Sequence, residues 1–368
     1  MIRALRKKIQ LILVNLFLRL YTGKNGLAST QAEFAQEDKR NIKNIVIYSS
    51  TALGDFMMNS PAIHAIRREY PDAHITLICH KKMVQFLSAG KDWDSLIAWD
   101  NKLTTVSALV DNIKQQGRPD AAIILHSHTP YDFLSALRAG AKYVFIDNDK
   151  QAIPLVSKWA TSRLKNFVGH TIQRKLELIA PFLSHEPSRA MRLPAEVVVD
   201  EATRDPAVKY VGFQMGASSL RKCWSTENFA RLATQMINDN DAVKIVLIGA
   251  PNEVALQDKF LQQLDARYHD RVLPLIGKTT IPGLLQEIKK MSLLVTSDTG
   301  PLHLAVAMQV PTVSMFVVTS PMLYGPYQDP ELHSVIYKAF TTFDEQHYAS
   351  ALDKISLNEV YARVKTFL

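Results

Sequence analysis

The stretch Leu293-Leu294-Val295-Thr296-Ser297-Asp298-Thr299-Gly300-Pro301-Leu302-His303-Leu304-Ala305 decides the fold. Its apolar start, Leu293–Thr296, predicts a buried strand. A polar turn follows, and Pro301 then opens a helix at a position where its missing N–H is tolerated. A strand that runs through a glycine-bearing turn into a helix is the building unit of a parallel sheet covered by helices. The same unit recurs outward in both directions. Tyr210–Phe213, Val243–Ile248, Val272–Leu275 and Thr312–Phe316 predict strands, alternating with helices over Thr226–Asp239, Glu253–Ala266 and Ile281–Lys290. Leu352–Leu368 predicts a closing helix. Upstream, strands over Asn44–Ser49, His74–Cys79, Ser95–Trp99, Ala121–Leu125 and Tyr143–Ile146 alternate with helices over Ser60–Glu69, Lys82–Ser88, Val106–Gln116 and Tyr131–Ala139. Residues 150–185 read as mainly helical, and Pro187–Lys209, with Pro194 and Pro206, as a passage between domains. The chain is α/β, in two halves.

Composition fits this. At 368 residues and 47% hydrophobic, the chain can fill two cores, and disorder and collagen-like repeats are excluded. No apolar run approaches the ~20 residues of a membrane span. Two cysteines, Cys79 and Cys223, exclude a disulfide scaffold and fit a reducing compartment. The formal charge is +8, yet residues 1–24 carry six cations (Arg3, Arg6, Lys7, Lys8, Arg19 and Lys24) and no acid. The remaining 344 residues hold only +2, which argues against nucleic acid as a partner.

In that basic segment Ile2, Leu5, Ile9, Ile12, Leu13, Leu16 and Leu20 recur at helical spacing on one face. Arg3, Lys7 and Lys8 lie towards the other side, where Leu11, Val14 and Leu18 intrude. Such a helix is expected to lie on an anionic lipid surface. The alternatives are a helix packed on the body and an export signal, although no A-x-A cleavage site follows the apolar core. Residues 23–43 read as a linker.

Three strand-end loops offer chemistry, since ligands of open α/β sheets bind beyond the carboxyl ends of the strands. The first is Ser50-Thr51-Ala52-Leu53-Gly54-Asp55. Gly54 permits close backbone approach or positive φ, and Asp55 either caps the following helix or faces a ligand. Pro61 is placed near that helix's first turn. The second loop runs from Gln214 to Trp224. It offers Gly216, Ser218, Ser219, Arg221 and Lys222, a set suited to an anion such as phosphate. The third is Thr296–His303, where Asp298, Thr299 and Gly300 precede a helix start with unpaired N–H groups. Glu253, in Gly249-Ala250-Pro251-Asn252-Glu253, either accepts from ribose hydroxyls or serves the helix dipole. The pattern Asp-x-Asp occurs at Asp92/Asp94, Asp147/Asp149 and Asp239/Asp241; three matches in one chain mark it as cheap. Histidines such as His64, His126 and His128 read as structural. No P-loop, Gly-x-Gly-x-x-Gly or zinc spacing is present, so no metal ligand set and no cofactor is expected.

Taken together, Gly54-Asp55 with Pro61, Met215-Gly216-Ala217-Ser218-Ser219 with Lys222-Cys223-Trp224, and the complete Asp298-Thr299-Gly300-Pro301-Leu302-His303-Leu304-Ala305 resemble the ADP-heptose:lipopolysaccharide heptosyltransferases, glycosyltransferase family 9. Thr319-Ser320-Pro321 and Gly325-Pro326 echo that family too. Met215, Ser225 and Val317-Val318 depart from its pattern, and the basic N-terminal helix lies outside it. The resemblance implies a GT-B fold, two Rossmann-like domains with parallel sheets facing a central cleft. The domains would be 44–195 on the acceptor side and 196–345 for the nucleotide sugar, preceded by the helix and linker of 1–43. Residues 346–368 would form a helix crossing back to the first domain. It implies an inverting, metal-independent transfer of heptose from ADP-heptose to the inner core of lipopolysaccharide. The enzyme would be peripheral on the cytoplasmic face of the inner membrane. Asp55 would be the base, beside an acceptor loop with Thr51 and Gly54. Lys222 would stabilise the ADP leaving group together with Ser218, Ser219 and Asp298–Gly300. Gly216, Glu253, Gly277 and His303 would complete the donor site, with adenine near Gly277-Lys278-Thr279. The alternatives are a sugar-nucleotide 2-epimerase of the same fold and a non-catalytic membrane-associated scaffold.

Overall fold

Asn44-Ile45-Val46-Ile47-Tyr48-Ser49 carries an unbroken apolar run from Ile45 to Tyr48, as a strand covered on both faces does. In the computed structural model it is the first of six parallel strands in a first unit, residues 1–195; a second unit covers residues 196–368. The structure describes residues 2–25, 29–126, 130–147, 159–164, 167–198, 205–341, 344 and 348–368.

In the first unit the strands are β1 (Asn44–Ser49), β2 (His74–His80), β3 (Ser95–Trp99), β4 (Ala121–Ile124), β5 (Tyr143–Asp147) and β6 (Ser162–Leu164), in the order β3-β2-β1-β4-β5-β6. The helices are α1 (Ile2–Asn25), α2 (Gln31–Gln36), α3 (Leu53–Glu69), α4 (Val84–Leu87), α5 (Val106–Gln115), α6 (Pro130–Ala139) and α7 (Thr171–Ile179). Val46 and Tyr48, Ala122 and Ile124, and Val144 and Ile146 form one core with α5 and α6. Alternation along the strands turns Phe145 and Tyr143 the other way. There they join Phe34 and Phe182 in a ring cluster with centroids 4.6 to 4.8 Å apart.

The second unit repeats the plan. Its strands are β7 (Lys209–Gln214), β8 (Val243–Ile248), β9 (Val272–Pro274), β10 (Leu293–Ser297), β11 (Thr312–Phe316) and β12 (His333–Tyr337), ordered β12-β11-β10-β7-β8-β9. Its helices are α8 (Thr226–Asp239), α9 (Val254–Gln263), α10 (Ile281–Lys290), α11 (Gly300–Ala307), α12 (Pro321–Tyr324) and α13 (Leu357–Val364). In both sheets the winding reverses beside the first strand, between β1 and β4 and between β7 and β10. In doubly wound sheets that reversal opens a crevice for ligands at the carboxyl ends.

Three expectations need correction. Residues 29–42 are not a linker. Thr30 and Glu33 form a capping box that starts α2, and Phe34 and Ile42 are buried. Pro61 lies in the interior of α3 rather than its first turn. The carbonyl of Met57, which a residue-61 N–H would bond, accepts instead from Ser60 Oγ at 2.7 Å. Gly54 is helical, so positive φ is not its purpose. The closing helix α13 buries Val360 and Val364 in the second unit's own core, against α8. Sequence reading also missed β6 and β12, the outermost strand at one edge of each sheet.

Phe34 is the direct test of the revised segment. Phe34→Ala should lower unfolding stability by about 3 kcal/mol, the usual loss for a buried phenylalanine, in chemical denaturation. An unchanged midpoint would restore the linker reading.

Candidate active site

The second unit brings most of the predicted donor residues to the ends of four adjacent strands, β8-β7-β10-β11. Asp298 follows β10, and its carboxylate is the centre. Lys222 Nζ, from the loop after β7, donates to Oδ2 at 2.7 Å. Thr319 Oγ1, from the loop after β11, donates to the same oxygen at 2.8 Å. The buried His303 ring, one turn into α11, puts Nε2 at 3.8 Å from Oδ1, an ion-pair rather than a hydrogen-bond distance. Burial pushes the Asp298 carboxyl up, but His303 and Lys222 outweigh it and hold the acid at about 2. It is therefore ionised at neutral pH. His303 Nδ1 is buried and has no hydrogen-bond partner among the described residues.

The helix that Asp298 introduces begins uncapped. Thr299 occupies the N-cap of α11, but its hydroxyl is shared with Thr296 at 3.0 Å and does not bond the helix start. Gly300 and Pro301 are the first two helical residues. The first N–H groups thus keep their partial positive charge.

Glu253 and Gly216 are brought together in an unexpected way. Gln214 Nε2 donates to Gly216 O at 2.9 Å and reaches Glu253 Oε2 at 3.3 Å. The N–H of Ala250 also donates to Glu253 Oε2, at 2.9 Å. A Cβ on Gly216 would stand 2.1 Å from Glu253 Oε1, and one on Gly249 2.5 Å from Oε2. The glycines therefore make room for this carboxylate, which braces the turn before α9 as a first-turn acid does. Gly277, at φ +73°, needs its glycine for the turn itself; its N–H donates to Gly249 O at 3.0 Å.

The loop carrying Lys222 is fastened from the C-terminal side of the same unit. Trp224 Nε1 donates to Ile355 O at 3.0 Å, and the single Ser350 hydroxyl proton is shared between Leu220 O, at 3.1 Å, and Cys223 O. The Arg221 guanidinium lies 5.2 Å from the Phe340 ring centroid. Ser219 Oγ accepts from Arg221 N–H at 3.3 Å, so this hydroxyl shapes the short turn Leu220–Lys222. Ser218 is exposed. Burial pushes the Cys223 thiol up, which keeps it protonated.

In the first unit Asp55 is the third residue of α3, half-buried in a first turn whose N-cap, Ala52, has no side-chain bond to offer. It is a first-turn acid rather than the cap. The preceding loop is tied down by hydrogen bonds. Thr51 is buried, with its N–H on Ser49 O at 2.9 Å and its hydroxyl on Ala52 O at 3.2 Å. Asn101 Nδ2 donates to Ser50 O at 3.0 Å. The Asp-x-Asp pairs are tied to the protein: Asp92 to His64, Asp94 to Arg67, Asp239 to Tyr361, and buried Asp147 to Lys175 and Arg174. Asp149 and His128 lie outside the described residues.

Sequence reading assigned no role to Thr319 or Gln214. Thr319 could have been found from its place three residues after the end of β11, in the Thr-Ser-Pro that echoes the family. Gln214 closes β7, where a buried amide asks for partners.

The depressed acidity of Asp298 fixes a pH dependence. Its folded value, about 2, lies below the ordinary 3.8, so its contribution is complete above that value and fades as pH falls from about 4 to 2. Asp298→Asn should cost about 2 kcal/mol at neutral pH. The gap to wild type, measured by urea denaturation, should close in that acidic window. A gap independent of pH would refute the ionised network.

The family model "Glycosyltransferase family 9 (heptosyltransferase)" matches residues 131–355, which include Lys222, Asp298 and Thr319 but not Asp55. The lipooligosaccharide heptosyltransferase 2 of Campylobacter jejuni is 26% identical over 77% of this chain and 84% of its own. A glycosyl transferase family 9 structure from Veillonella parvula superposes with TM-score 0.74 at 20% identity, covering 90% of this chain and 98% of that one. An Escherichia coli heptosyltransferase, WaaC, solved with ADP, gives 0.67 at 17% identity, covering 88% of this chain and all of that one. The solved structures show the fold, two Rossmann-like units of the GT-B class. With the family match extending over more than half its length, the chain belongs to glycosyltransferase family 9, the heptosyltransferases.

Proposed function

We propose that the chain moves heptose from ADP-heptose to the inner core of lipopolysaccharide, with inversion at the anomeric carbon. The observation that carries this reading is the lysine anchored on Asp298, two residues before an uncapped helix start, within the segment that matches the family. The relative from Campylobacter, named for lipooligosaccharide, and the E. coli neighbour holding ADP support the choice of acceptor and nucleotide.

In the transfer, the acceptor hydroxyl oxygen bonds to the anomeric carbon as the bond from that carbon to the diphosphate oxygen breaks. The sugar passes through an oxocarbenium-like state. The hydroxyl proton goes to Asp55, the general base. Negative charge builds on the departing diphosphate. An ammonium has three N–H donors, so Lys222 can keep Asp298 with one and offer the others to phosphate oxygens. The first N–H groups of α11 and the hydroxyls of Ser218 and Ser219 share the load. These groups do the neutralising that a divalent metal does elsewhere, so no metal is assigned. Asp298 aims Lys222, and His303 supports that carboxylate. Glu253 takes the ribose, and the backbone at Gly277 the adenine. The place of action is the cytoplasmic face of the inner membrane, where the acceptor is built.

Asp55→Ala should lower turnover by about 10²–10⁴-fold while ADP affinity, read by calorimetry, is unchanged. Wild-type turnover would remove Asp55 as base. Lys222→Ala should weaken ADP binding by about tenfold or more, the worth of a charged hydrogen bond. Unchanged affinity would remove Lys222 from the phosphate site. ADP-heptose incubated without acceptor should remain intact by NMR; a rearranged sugar would favour epimerisation instead.

A further inference from the structure

The N-terminal helix divides its apolar residues between two faces, and only one is occupied. Val14 and Leu18 are buried in the first unit's core, where α1 packs on α6, and Tyr21 reaches Leu137 O at 3.4 Å. These are among the residues that spoil a simple two-sided pattern in the sequence. Leu5, Ile9, Ile12, Leu13, Leu16 and Leu20 form the other stripe, and they remain exposed, Leu5 at 60%, Leu13 at 59% and Leu20 at 71%. So many large apolar side chains on one exposed helix face mark an interaction surface.

Charge identifies what covers it. The first 24 residues carry six Lys and Arg and no acid. A second copy would bring twelve cations to one seam, whereas an anionic lipid surface complements them. Among the described residues no helix is long and apolar enough to cross a membrane. We propose that α1 is an interfacial anchor. It is clamped to α6 through Val14, Leu18 and Tyr21, and it lays the Leu5–Leu20 stripe into the headgroup region of an anionic bilayer. The inference rests on the transferase reading only for the reason to be there, a lipid-borne acceptor. Because the helix is packed on the body, the anchor fixes the orientation of the first unit on the bilayer.

The test is sedimentation of the full chain with vesicles of phosphatidylglycerol and phosphatidylcholine in equal parts, and with phosphatidylcholine alone. The wild type should bind the anionic vesicles, lose binding at high salt, and bind neutral vesicles weakly. Leu13→Glu with Leu16→Glu should reduce anionic-vesicle partition by about tenfold or more. ADP affinity, thermal unfolding and transfer to a lipid-free core acceptor should be unchanged. Should the double variant unfold, Leu20→Ser is read in the same assay, with the same direction expected. No wild-type binding, or equal binding by a folded variant, overturns the anchor. So does a wild-type dimer in ultracentrifugation that the variant converts to monomer without any vesicle binding. Failure of transfer by the wild type, with vesicle binding intact, would count against the transferase reading and leave the anchor standing.

Discussion

A largely enclosed carboxylate is opposed by its own desolvation, and at Asp298 His303 and Lys222 outweigh that cost and keep the acid ionised, while Thr319, from a third strand end, donates to the same oxygen as the lysine. Lys222 comes from the loop after β7, Thr319 from the loop after β11, and His303 from the helix that Asp298 itself introduces. Remove the carboxylate and three loops lose their common partner. Keep it, and a lysine ammonium is held at a defined place beside a helix start with unpaired N–H groups. That coupling of a charge balance to a position is what makes an anion site here rather than a surface loop with a lysine in it.

The rest of the second unit serves the same end. The order of strands puts β7 beside β10, so the two loops that matter most emerge at the reversal of the winding. Phe340, Ser350 and Ile355 fasten the Lys222 loop from the C-terminal segment, and Glu253 wedges between glycines to brace the neighbouring turn. In the first unit a similar economy holds. Asp55 stands on the first turn of a long helix rather than on a free loop, and the loop before it is tied to the end of β3 through Asn101. Sites carried on such rigid elements keep their geometry without a ligand to organise them.

How much of this was visible in the sequence depends on how local its cause is. The ten strands read correctly are apolar runs whose burial is written in their own residues. The edge strands β6 and β12 are only partly buried, and Ser162-Arg163-Leu164 carries no pattern at all. Residues 29–42 look polar enough for a linker because only Phe34 and Ile42 among them are buried. The loops of the site were legible, since glycine, hydroxyl and charge cluster there. What each residue does was not. Gly216 makes room for Glu253, Ser219 shapes a turn, and Thr319 joins Asp298 across 21 positions of chain. Val14 and Leu18, which blur one face of the N-terminal helix, pack into the first unit's core where α1 meets α6, a contact no local pattern encodes.

The most direct test of the account is a crystal structure of the full chain soaked with ADP. The diphosphate should lie within hydrogen-bond distance of Lys222 Nζ and of the first N–H groups of α11, with Asp298 still bonded to that lysine. A diphosphate bound at another set of strand ends, with the Lys222–Asp298 pair closed and remote from it, would contradict the central claim.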